Sequence, residues 1–308
     1  MDKPRILITD GLSSEGVEIL ERAAEIVLSP AVDELPKFDA VIVRGKTKLT
    51  AGVISTGSPR LRVIGRAGVG VDNIDLQAAK RYGIVVVNSP FAPTIAVAEH
   101  ALGLILGLAR NIPQADASMR SGKWQKSEFI GSELAGKTLG IMGMGKIGSA
   151  LGIRAAAMGM IILGFDAYLE EDAIKERGAQ PSTFANILKE SDYISIHLPL
   201  TEDTRGMLGA DELSMMKAGA RIVSTARGGI VDETALLEKL NSGHLAGAAL
   251  DVFENEPPRP DGLVQHRNVI STPHIGAQTK EAQARTALDI ASEVLAALRH
   301  QSLRWRVI

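Results

Sequence analysis

No cysteine occurs among the 308 residues of this sequence. Disulfide bonds, thiolate metal ligands and a cysteine nucleophile are therefore excluded, and we expect no metal site. A chain without cysteine suits a reducing compartment, so we expect the protein to be cytoplasmic.

Neither sign of charge is in excess. The 34 basic and 36 acidic residues leave a formal charge of −2. Proteins that bind nucleic acid or anionic membranes through general electrostatic attraction usually carry a basic excess. We therefore expect neither a nucleic acid nor a membrane as a partner.

Long hydrophobic runs are also lacking. The longest stretches, Ala101–Ala109 and Ala155–Phe165, are each about ten residues long, whereas crossing a bilayer takes about twenty. The first ten residues place charges before a short apolar run, which predicts a first β-strand and not a signal peptide.

The sequence does contain a regular alternation of short apolar runs with helical patterns. Hydrophobic residues make up 45% and charged residues 23% of the chain, which are ordinary values for an ordered globular protein. Continuous Val/Ile runs suit parallel strands that are covered on both faces. The predicted strands are Ile6–Thr9, Ile26–Leu28, Ala40–Val43, Leu61–Ile64, Ile84–Val87, Thr138–Ile141, Ile161–Phe165, Tyr193–Ile196, Ala220–Ser224, Ala246–Leu250 and Val269–Ser271.

The helical patterns divide these strands into two series. Val97–Arg110 is apolar almost all round, which predicts a buried helix between the two series. Residues 111–137 are polar and irregular. A helix that buries Val17 and Leu20 is predicted after the possible caps Ser13 and Ser14, and further helices are predicted at 146–158 and at Lys280–Arg299. We predict an α/β fold with two doubly wound parallel-sheet (Rossmann-like) domains and the active-site cleft between them.

A glycine-rich loop opens the second series of strands. Gly143, Gly145 and Gly148 form a G-x-G-x-x-G pattern between an apolar strand and an Ala-rich helix. In this context the first glycine permits a tight turn, the second lets the backbone approach a pyrophosphate, and the third lets helix and strand pack closely. The N-terminus of the helix offers N–H groups to the phosphates.

An acidic residue completes this pattern. Asp166 ends the next strand, eighteen residues after Gly148. A carboxylate there can accept hydrogen bonds from ribose hydroxyls and repels a 2′-phosphate. The pattern therefore predicts a dinucleotide site for NAD.

Three polar residues follow three strands of the second series. Arg227, Glu256 and His274 each lie just beyond an apolar run, and ligands of open α/β sheets bind at the carboxyl ends of the strands. His197 also ends a strand and is the rival histidine, although a cofactor-adjacent loop is its expected place. Glu254 is the rival carboxylate.

Oxidation of a secondary alcohol suits this trio. Histidine titrates near neutral pH and can take the hydroxyl proton, and a carboxylate on its other ring nitrogen orients the ring. Arginine can grip a substrate carboxylate and polarise the reacting oxygen. A nicotinamide would carry the hydride.

Taken together, these motifs resemble the NAD-dependent D-2-hydroxyacid dehydrogenase family over nearly the whole chain. The matching segments are Val41–Arg44, Val63–Asn73, Gly143–Gly148, Ala226–Glu233, Ala248–Pro257 and Thr272–Ala277.

The resemblance implies that Arg227, Glu256 and His274 are catalytic. Arg44, the turn Gly68, Val69 and Gly70, Arg227 and His274 are implied to face the substrate. The implied contacts to the dinucleotide are Gly143, Gly145, Lys146, Ile147, Gly148, Asp166, Leu198, Thr225, Ala226, Arg227, Asp251, His274 and Gly276.

The resemblance also predicts how the chain is organised. A discontinuous substrate domain is expected from residues 1–97 and 284–308, with the NAD-binding domain at 98–283. A homodimer is implied as well. Because the resemblance ends with the last predicted helix, the C-terminal regulatory domains of longer relatives are not expected.

The substrate is the open part of this interpretation. The first hypothesis is oxidation of 3-phospho-D-glycerate, a phosphorylated 2-hydroxy acid, with Arg44, Lys46 and Lys48 as the available cations. The second is another 2-hydroxy acid of the glycerate, glyoxylate or lactate type, because Gly45 and Pro93 depart from the family pattern. The third is a corepressor on the same fold that senses NADH without turnover.

Overall fold

The computed structural model describes residues 3–29, 31–260 and 262–308. These form two compact units. The N-terminal unit comprises the residues up to Pro93 together with Ala277–Ile308, and the central unit is Thr94–Gly276. The boundaries fall at 93/94 and 276/277, where the sequence predicts 97/98 and 283/284, because the helices that begin at Thr94 and Lys280 each lie whole within one unit.

All strands of the described residues are short and parallel. They are β1 (Arg5–Ile8), β2 (Glu25–Leu28), β3 (Ala40–Val43), β4 (Val63–Arg66), β5 (Val85–Asn88), β6 (Thr138–Met142), β7 (Ile161–Phe165), β8 (Gln180–Pro181), β9 (Tyr193–Ile196), β10 (Arg221–Ser224), β11 (Gly247–Leu250) and β12 (Val269–Ser271). Each predicted strand is therefore present, within two residues of its predicted position.

Helices connect these strands. The α-helices are α1 (Ser14–Ala23), α2 (Ala51–Gly57), α3 (Leu76–Arg81), α4 (Thr94–Arg110), α5 (Ile112–Arg120), α6 (Lys146–Ala157), α7 (Glu171–Glu176), α8 (Phe184–Glu190), α9 (Ala210–Met215), α10 (Glu233–Asn241), α11 (Gly262–Gln265) and α12 (Lys280–Leu298). Single 3₁₀ turns occur at Leu35–Lys37 and Lys126–Glu128.

The N-terminal unit is a parallel sheet in the order β2-β1-β3-β4-β5, covered on both faces. Successive side chains of β1 show this, since Ile6 and Ile8 belong to the core that contains α12, while Leu7 belongs to the core on the other face. Burial of both faces explains why the strands are continuous apolar runs.

The central unit is a parallel sheet in the order β12-β11-β10-β9-β6-β7-β8. Leu139 and Ile141 of β6 pack with α4 on one face, whereas Met142 belongs to the core on the other face. The chain runs outward from β6 to β8 and then returns to β9, so the strand order reverses between β6 and β9. In doubly wound sheets, ligands bind at the carboxyl ends of the strands beside such a switch point. The predicted fold class of two Rossmann-like parallel sheets is confirmed.

Side-chain caps fix several helix starts. Thr50, Asp75, Thr183, Asp232 and Thr279 each accept a hydrogen bond from a backbone N–H in the first turn of α2, α3, α8, α10 and α12. The predicted cap of α1 is wrong in its bonding. Ser13 holds the N-cap position, but its hydroxyl donates to the Glu15 carboxylate and accepts no hydrogen bond from a backbone N–H of the helix.

The prediction that residues 111–137 are irregular is wrong for α5. This helix begins after Asn111, whose φ is 53°, and buries Ser118 as its one buried residue among those described. Because almost nothing of α5 is buried within its own unit, its sequence carries no strong apolar periodicity. The short edge strand β8 was missed because it contains two residues and a proline.

No single helix within the described ranges is long and apolar enough to cross a membrane. The pair α4 and α5 meets the length and composition criteria only jointly, and the two helices are bent by 65° at their junction.

Candidate active site

The glycine loop connects β6 to α6, as the motif predicts. Gly143 has a φ of 95°, and a Cβ built on it would lie 2.7 Å from the carbonyl oxygen of His197. A Cβ on Gly148 would lie 2.1 Å from the carbonyl oxygen of Gly143. Both positions therefore require glycine, one for its backbone conformation and one for the close approach of the helix to the loop.

The surroundings of this loop fit a dinucleotide. A Cβ on Gly145 would meet no atom within 4 Å, so the loop has open space beside it. Gly145 is also the N-cap of α6 and has no side chain to satisfy the first N–H groups, which a phosphate can bind. At the end of β10, the Thr225 hydroxyl is buried and has no hydrogen-bond partner among the described residues.

Asp166 lies directly after β7, beside the glycine loop. Its carboxylate accepts a hydrogen bond from the Met144 N–H at 2.9 Å and another from the Tyr168 N–H at 3.0 Å. These bonds hold the carboxylate at the end of the strand. Each oxygen keeps a further lone pair with which to accept a ribose hydroxyl.

A guanidinium that sequence reasoning missed lies beside the glycine loop. The side chain of Arg177, which follows α7, donates to the carbonyl oxygen of Met144. The segment that directly follows Asp166, residues 167–170, contains no basic residue. The chain passes through α7 before Arg177 contacts the loop. No local sequence pattern predicts that contact.

The other expected dinucleotide residues also lie at this edge of the sheet. They occupy the first turn of α6 and the ends of β9, β10, β11 and β12, namely Lys146, Ile147, Leu198, Ala226, Arg227, Asp251, His274 and Gly276. Their contacts to a cofactor stay predictions.

His274 and Glu256 form a hydrogen-bonded pair. Nδ1 of His274 lies 2.8 Å from Oε2 of Glu256, and both side chains are partly exposed, His274 at 48% and Glu256 at 40%. The other carboxylate oxygen accepts the Phe253 N–H at 3.3 Å. Burial by itself raises the pKa of Glu256, but the hydrogen bond and charge of His274 and the bond from Phe253 outweigh it, so this pKa lies below its ordinary value.

This pair fixes the tautomer of the imidazole. An ionised carboxylate can only accept, so Nδ1 of His274 carries a proton and donates it to Glu256. Nε2 is then left with a lone pair that can take a proton from a substrate hydroxyl. The structure pairs His274 with Glu256, as predicted, and not with the rival carboxylate Glu254.

Arg227 follows β10. In the sheet, β11 lies between β10 and β12. Nη1 of Arg227 donates to the carbonyl oxygen of Ala226 at 2.6 Å. The three strands β10, β11 and β12 are neighbours in register, so the segments that follow them bring Arg227, Glu256 and His274 to one edge of one sheet.

His197, the rival histidine, has a different environment. It follows β9, and its Nε2 lies 2.9 Å from the Ser195 hydroxyl. Burial lowers its pKa to about 4, so the ring is neutral at physiological pH. Its Nδ1 is buried without a partner among the described residues. These properties do not suit a group that must exchange protons with a substrate near neutral pH.

In the N-terminal unit, the loop that carries Arg44 follows β3 at the point where the strand order reverses between β1 and β3. Oδ2 of Asp10, beyond β1, accepts the Arg44 N–H at 2.8 Å and the Thr47 N–H at 3.1 Å. The Asn73 amide donates to the carbonyl oxygens of Arg44 and Thr47. Sequence reasoning missed Asp10 and Asn73, which fix the backbone from which Arg44 projects.

The expected substrate-facing turn follows β4. The Gly68 N–H donates to the carbonyl oxygen of Arg66 at 2.9 Å and is therefore already used. The Asn88 amide donates to the carbonyl of Val69, which holds the turn in place. Among the described hydrogen bonds, none has the N–H of Val69 or Gly70 as its donor, so these two groups suit the predicted role better than Gly68.

Comparison with protein families places this site in a known class. The family described as "D-isomer specific 2-hydroxyacid dehydrogenase, NAD binding domain" matches residues 102–276. The match covers more than half of the chain and nearly all of the central unit. The chain belongs to the D-isomer specific 2-hydroxyacid dehydrogenase family, and its central unit is the NAD-binding domain.

Individual relatives agree with this assignment. D-3-phosphoglycerate dehydrogenase of Bacillus subtilis is 47% identical over 296 residues, which cover 94% of this chain and 56% of the relative. The chain spans about half the length of the curated relatives it matches, from 49% to 57%.

Solved structures match over their full length. A glyoxylate reductase from Paecilomyes thermophila is 30% identical with a TM-score of 0.91, covering 100% of this chain and 99% of that one. D-lactate dehydrogenase from Aquifex aeolicus, solved with NAD and lactic acid, is 32% identical with a TM-score of 0.85, covering 96% of each chain.

Proposed function

We propose that this protein oxidises 3-phospho-D-glycerate to 3-phosphohydroxypyruvate, with NAD as the hydride acceptor, as a cytoplasmic enzyme. The observation that carries the reaction type is the His274–Glu256 pair at the carboxyl edge of an NAD-binding sheet. The choice of substrate is supported by the curated relatives, which bear the name D-3-phosphoglycerate dehydrogenase at 42% to 47% identity. This reaction opens the synthesis of serine.

The dinucleotide would be held along the carboxyl edge of the central sheet. The N-terminus of α6 would bind the pyrophosphate, Asp166 the adenosine ribose, and the buried hydroxyl of Thr225 a polar group of the cofactor. When bound, NAD supplies a carbon that accepts hydride from C2 of the substrate.

His274 is the acid/base in this proposal. Its Nε2 takes the proton of the C2 hydroxyl, since Nδ1 is committed to Glu256. The imidazolium that results is stabilised by the ionised Glu256, whose pKa lies below its ordinary value. In the reverse direction the same proton is returned to the keto oxygen.

Arg227 binds the carboxylate of the substrate. A guanidinium matches a carboxylate with two parallel hydrogen bonds and also polarises the neighbouring oxygen at C2. The substrate phosphate is assigned to Arg44, whose loop is fixed by Asp10 and Asn73. The N–H groups of Val69 and Gly70 are further donors for a substrate oxygen.

A second copy of this chain is the proposed partner. The segment from α5 onward exposes large apolar side chains, namely Ile112 at 54%, Met119 at 54%, Trp124 at 80% and Ile130 at 84%. Large apolar side chains that are exposed in this way are typical of a protein–protein interface. Light scattering on the purified protein should give twice the chain mass, and Met119→Glu with Trp124→Glu should reduce it towards one chain.

The reaction is tested by following NADH absorbance with purified protein and a panel of D-2-hydroxy acids. 3-Phosphoglycerate should give the highest kcat/KM. His274→Ala should lower kcat by about 10²–10⁴-fold, the usual scale for a general acid/base, while NADH still binds. Near-normal kcat in this variant would remove His274 from the role.

A second substrate class has a specific observation in its favour. The solved structures that match over their full length include a glyoxylate reductase and D-lactate dehydrogenases. If kcat/KM is higher for glycerate, lactate or glyoxylate than for the phosphorylated substrate, the hypothesis of an unphosphorylated substrate replaces that of 3-phosphoglycerate. Arg227, Glu256 and His274 keep the same roles.

A further inference from the structure

We propose that His100 is a positioning residue that holds the loop of His274 in place, acting through Thr272 and Asp251. This inference rests on the proposed role of His274 as the acid/base. His100 lies on α4, and its side chain bonds Thr272 and lies near Asp251.

The centre of the arrangement is a buried carboxylate. Asp251, directly after β11, is 1% exposed. Its Oδ1 accepts the Thr272 hydroxyl at 2.6 Å and the Ile275 N–H at 2.8 Å, and its Oδ2 accepts the Gly276 N–H at 2.8 Å. Its own backbone oxygen accepts the His274 N–H at 2.9 Å. Asp251 thus bonds residues on both sides of His274 and His274 itself.

This bonding explains an uncommon backbone conformation. His274 has a φ of 53°, in the left-handed region that residues with a Cβ rarely adopt. The turn is maintained because the N–H groups of Ile275 and Gly276 both point at one carboxylate. The side chain of His274 leaves this turn towards Glu256, so the turn determines where its Nε2 lies.

His100 enters through a directional chain of hydrogen bonds. The Thr272 hydroxyl has one proton, and it donates this proton to Asp251 at 2.6 Å. It can therefore only accept from His100, whose Nε2 lies 3.1 Å from the same oxygen. Nε2 of His100 accordingly carries a proton, and it also lies 3.4 Å from Oδ1 of Asp251.

The helix that carries His100 is a rigid support. α4 packs in the core of the central unit, where Ala98, Ala101 and Ile105 are each 0% exposed. A Cβ on Gly276 would lie 3.7 Å from Cδ2 of His100, so the His274 loop packs directly on this helix. A side chain from α4 is thus connected by two hydrogen bonds in series to Asp251, the carboxylate that bonds the loop.

The test is a double-mutant cycle on His100 and Thr272. Thr272→Val keeps the shape but removes the hydroxyl, and His100→Ala removes the donor. Each should lower kcat by about ten- to a hundredfold, the scale of a small misplacement of a catalytic group, with Kd for NADH within about twofold of the wild type. Since both changes break the same series of hydrogen bonds, kcat of the double variant should be little lower than kcat of either single variant.

Three matched variants sharpen this experiment. Thr272→Ser keeps the hydroxyl and should restore kcat to within about threefold of the wild type. Glu99→Gln, next to His100 on α4, loses only an exposed ion pair with Arg154. Ser271→Ala, next to Thr272, removes a hydroxyl that has no partner among the described residues. Both controls should keep wild-type kcat.

The outcomes separate this inference from the proposed function. Wild-type kcat in Thr272→Val and His100→Ala, with an inactive His274→Ala, overturns the positioning role alone. The positioning role is also overturned if kcat, NADH affinity and the thermal midpoint all fall together and Thr272→Ser restores none of them. That result would indicate a purely structural role. Full activity of His274→Ala overturns the proposed function itself.

Discussion

Oε2 of Glu256 lies 2.8 Å from Nδ1 of His274, although the two residues are eighteen positions apart in the chain. The carboxylate and the imidazole approach each other because they follow neighbouring parallel strands, β11 and β12. The carboxylate is ionised at neutral pH, since the bonds from His274 and Phe253 lower its pKa despite burial. An imidazolium at His274 is therefore stabilised by an adjacent negative charge.

Glu256→Gln should change the pH dependence of the reduction direction, which needs a protonated His274. The amide keeps the shape of the side chain but removes the charge, so the imidazolium of His274 loses its stabilising partner. The upper pH limit of reduction should therefore fall relative to the wild type. Initial rates of NADH oxidation from pH 5 to 9 measure it. Glu254→Gln is the matched control, and an unchanged profile in Glu256→Gln would contradict the pairing.

Asp166 should determine the preference for NAD over NADP. In the proposed binding mode its carboxylate would repel a 2′-phosphate, and Asp166→Asn removes the charge while it keeps an acceptor for the Met144 N–H. We expect the ratio of kcat/KM for NAD to that for NADP to fall by at least about tenfold. Equal ratios in the wild type and Asp166→Asn would show that the carboxylate does not face the ribose.

Arg177 offers a way to separate the charges around that ribose. Its guanidinium bonds the carbonyl of Met144, the residue whose N–H bonds Asp166. Once the carboxylate is neutral, this cation should attract the 2′-phosphate. Asp166→Asn with Arg177→Ala should therefore use NADP less well than Asp166→Asn alone. Glu170→Ala, an exposed acid on the same loop, is the control and should leave the ratio unchanged.

Much of the fold is predictable because its signals are local. Strands such as Ala40–Val43 and Tyr193–Ile196 are buried on both faces, so they are short, continuous apolar runs in the sequence. The glycine loop is equally predictable, since Gly143 and Gly148 each meet a backbone oxygen that no side chain could tolerate.

The missed parts depend on contacts between distant segments. α5 buries little, so its residues lack the apolar spacing by which helices are recognised. His100, Asp10 and Arg177 act through hydrogen bonds to residues 172, 37 and 33 positions away. Such partners are determined by the order of strands in the sheet. The sequence around each residue therefore does not predict which distant residue it bonds.

His197 should make stability depend on pH. Burial lowers its pKa to about 4 from the ordinary 6.5. Between pH 6.5 and pH 4, His197 is therefore protonated in the unfolded chain but neutral in the folded chain. The stabilisation is complete above pH 6.5 and is lost as the pH falls from 6.5 towards 4. Between pH 7 and pH 5 this costs about 2 kcal/mol of unfolding free energy.

His197→Gln lacks this titration and should lose about 2 kcal/mol less than the wild type over the same pH interval. Urea unfolding at pH 7 and pH 5 measures the two differences. His300→Asn is the control, because His300 is exposed and asparagine tolerates its left-handed backbone with a φ of 56°. If His197→Gln and the wild type lose equal stability, His197 is not kept neutral by the fold.

Arg44 tests the choice of substrate. Its backbone is fixed on both sides, since Asp10 accepts its N–H at 2.8 Å and Asn73 donates to its carbonyl at 2.9 Å. Hydrogen bonds to Asp10 also lower the pKa of that carboxyl despite its burial, so the acceptor stays ionised at neutral pH. A cation on so constrained a loop can bind a phosphate without first paying the entropy of ordering the loop.

Arg44→Ala should raise KM for 3-phosphoglycerate by roughly ten- to a hundredfold, which corresponds to the loss of a hydrogen bond between charged groups. KM for unphosphorylated glycerate should change by less than about threefold, because that substrate has no phosphate to lose. Lys37→Ala, an exposed cation of the same unit that pairs with Glu34, should leave both values unchanged. If Arg44→Ala affects both substrates equally, or if the unaltered protein prefers glycerate, Arg44 does not bind a phosphate and the enzyme acts on another 2-hydroxy acid.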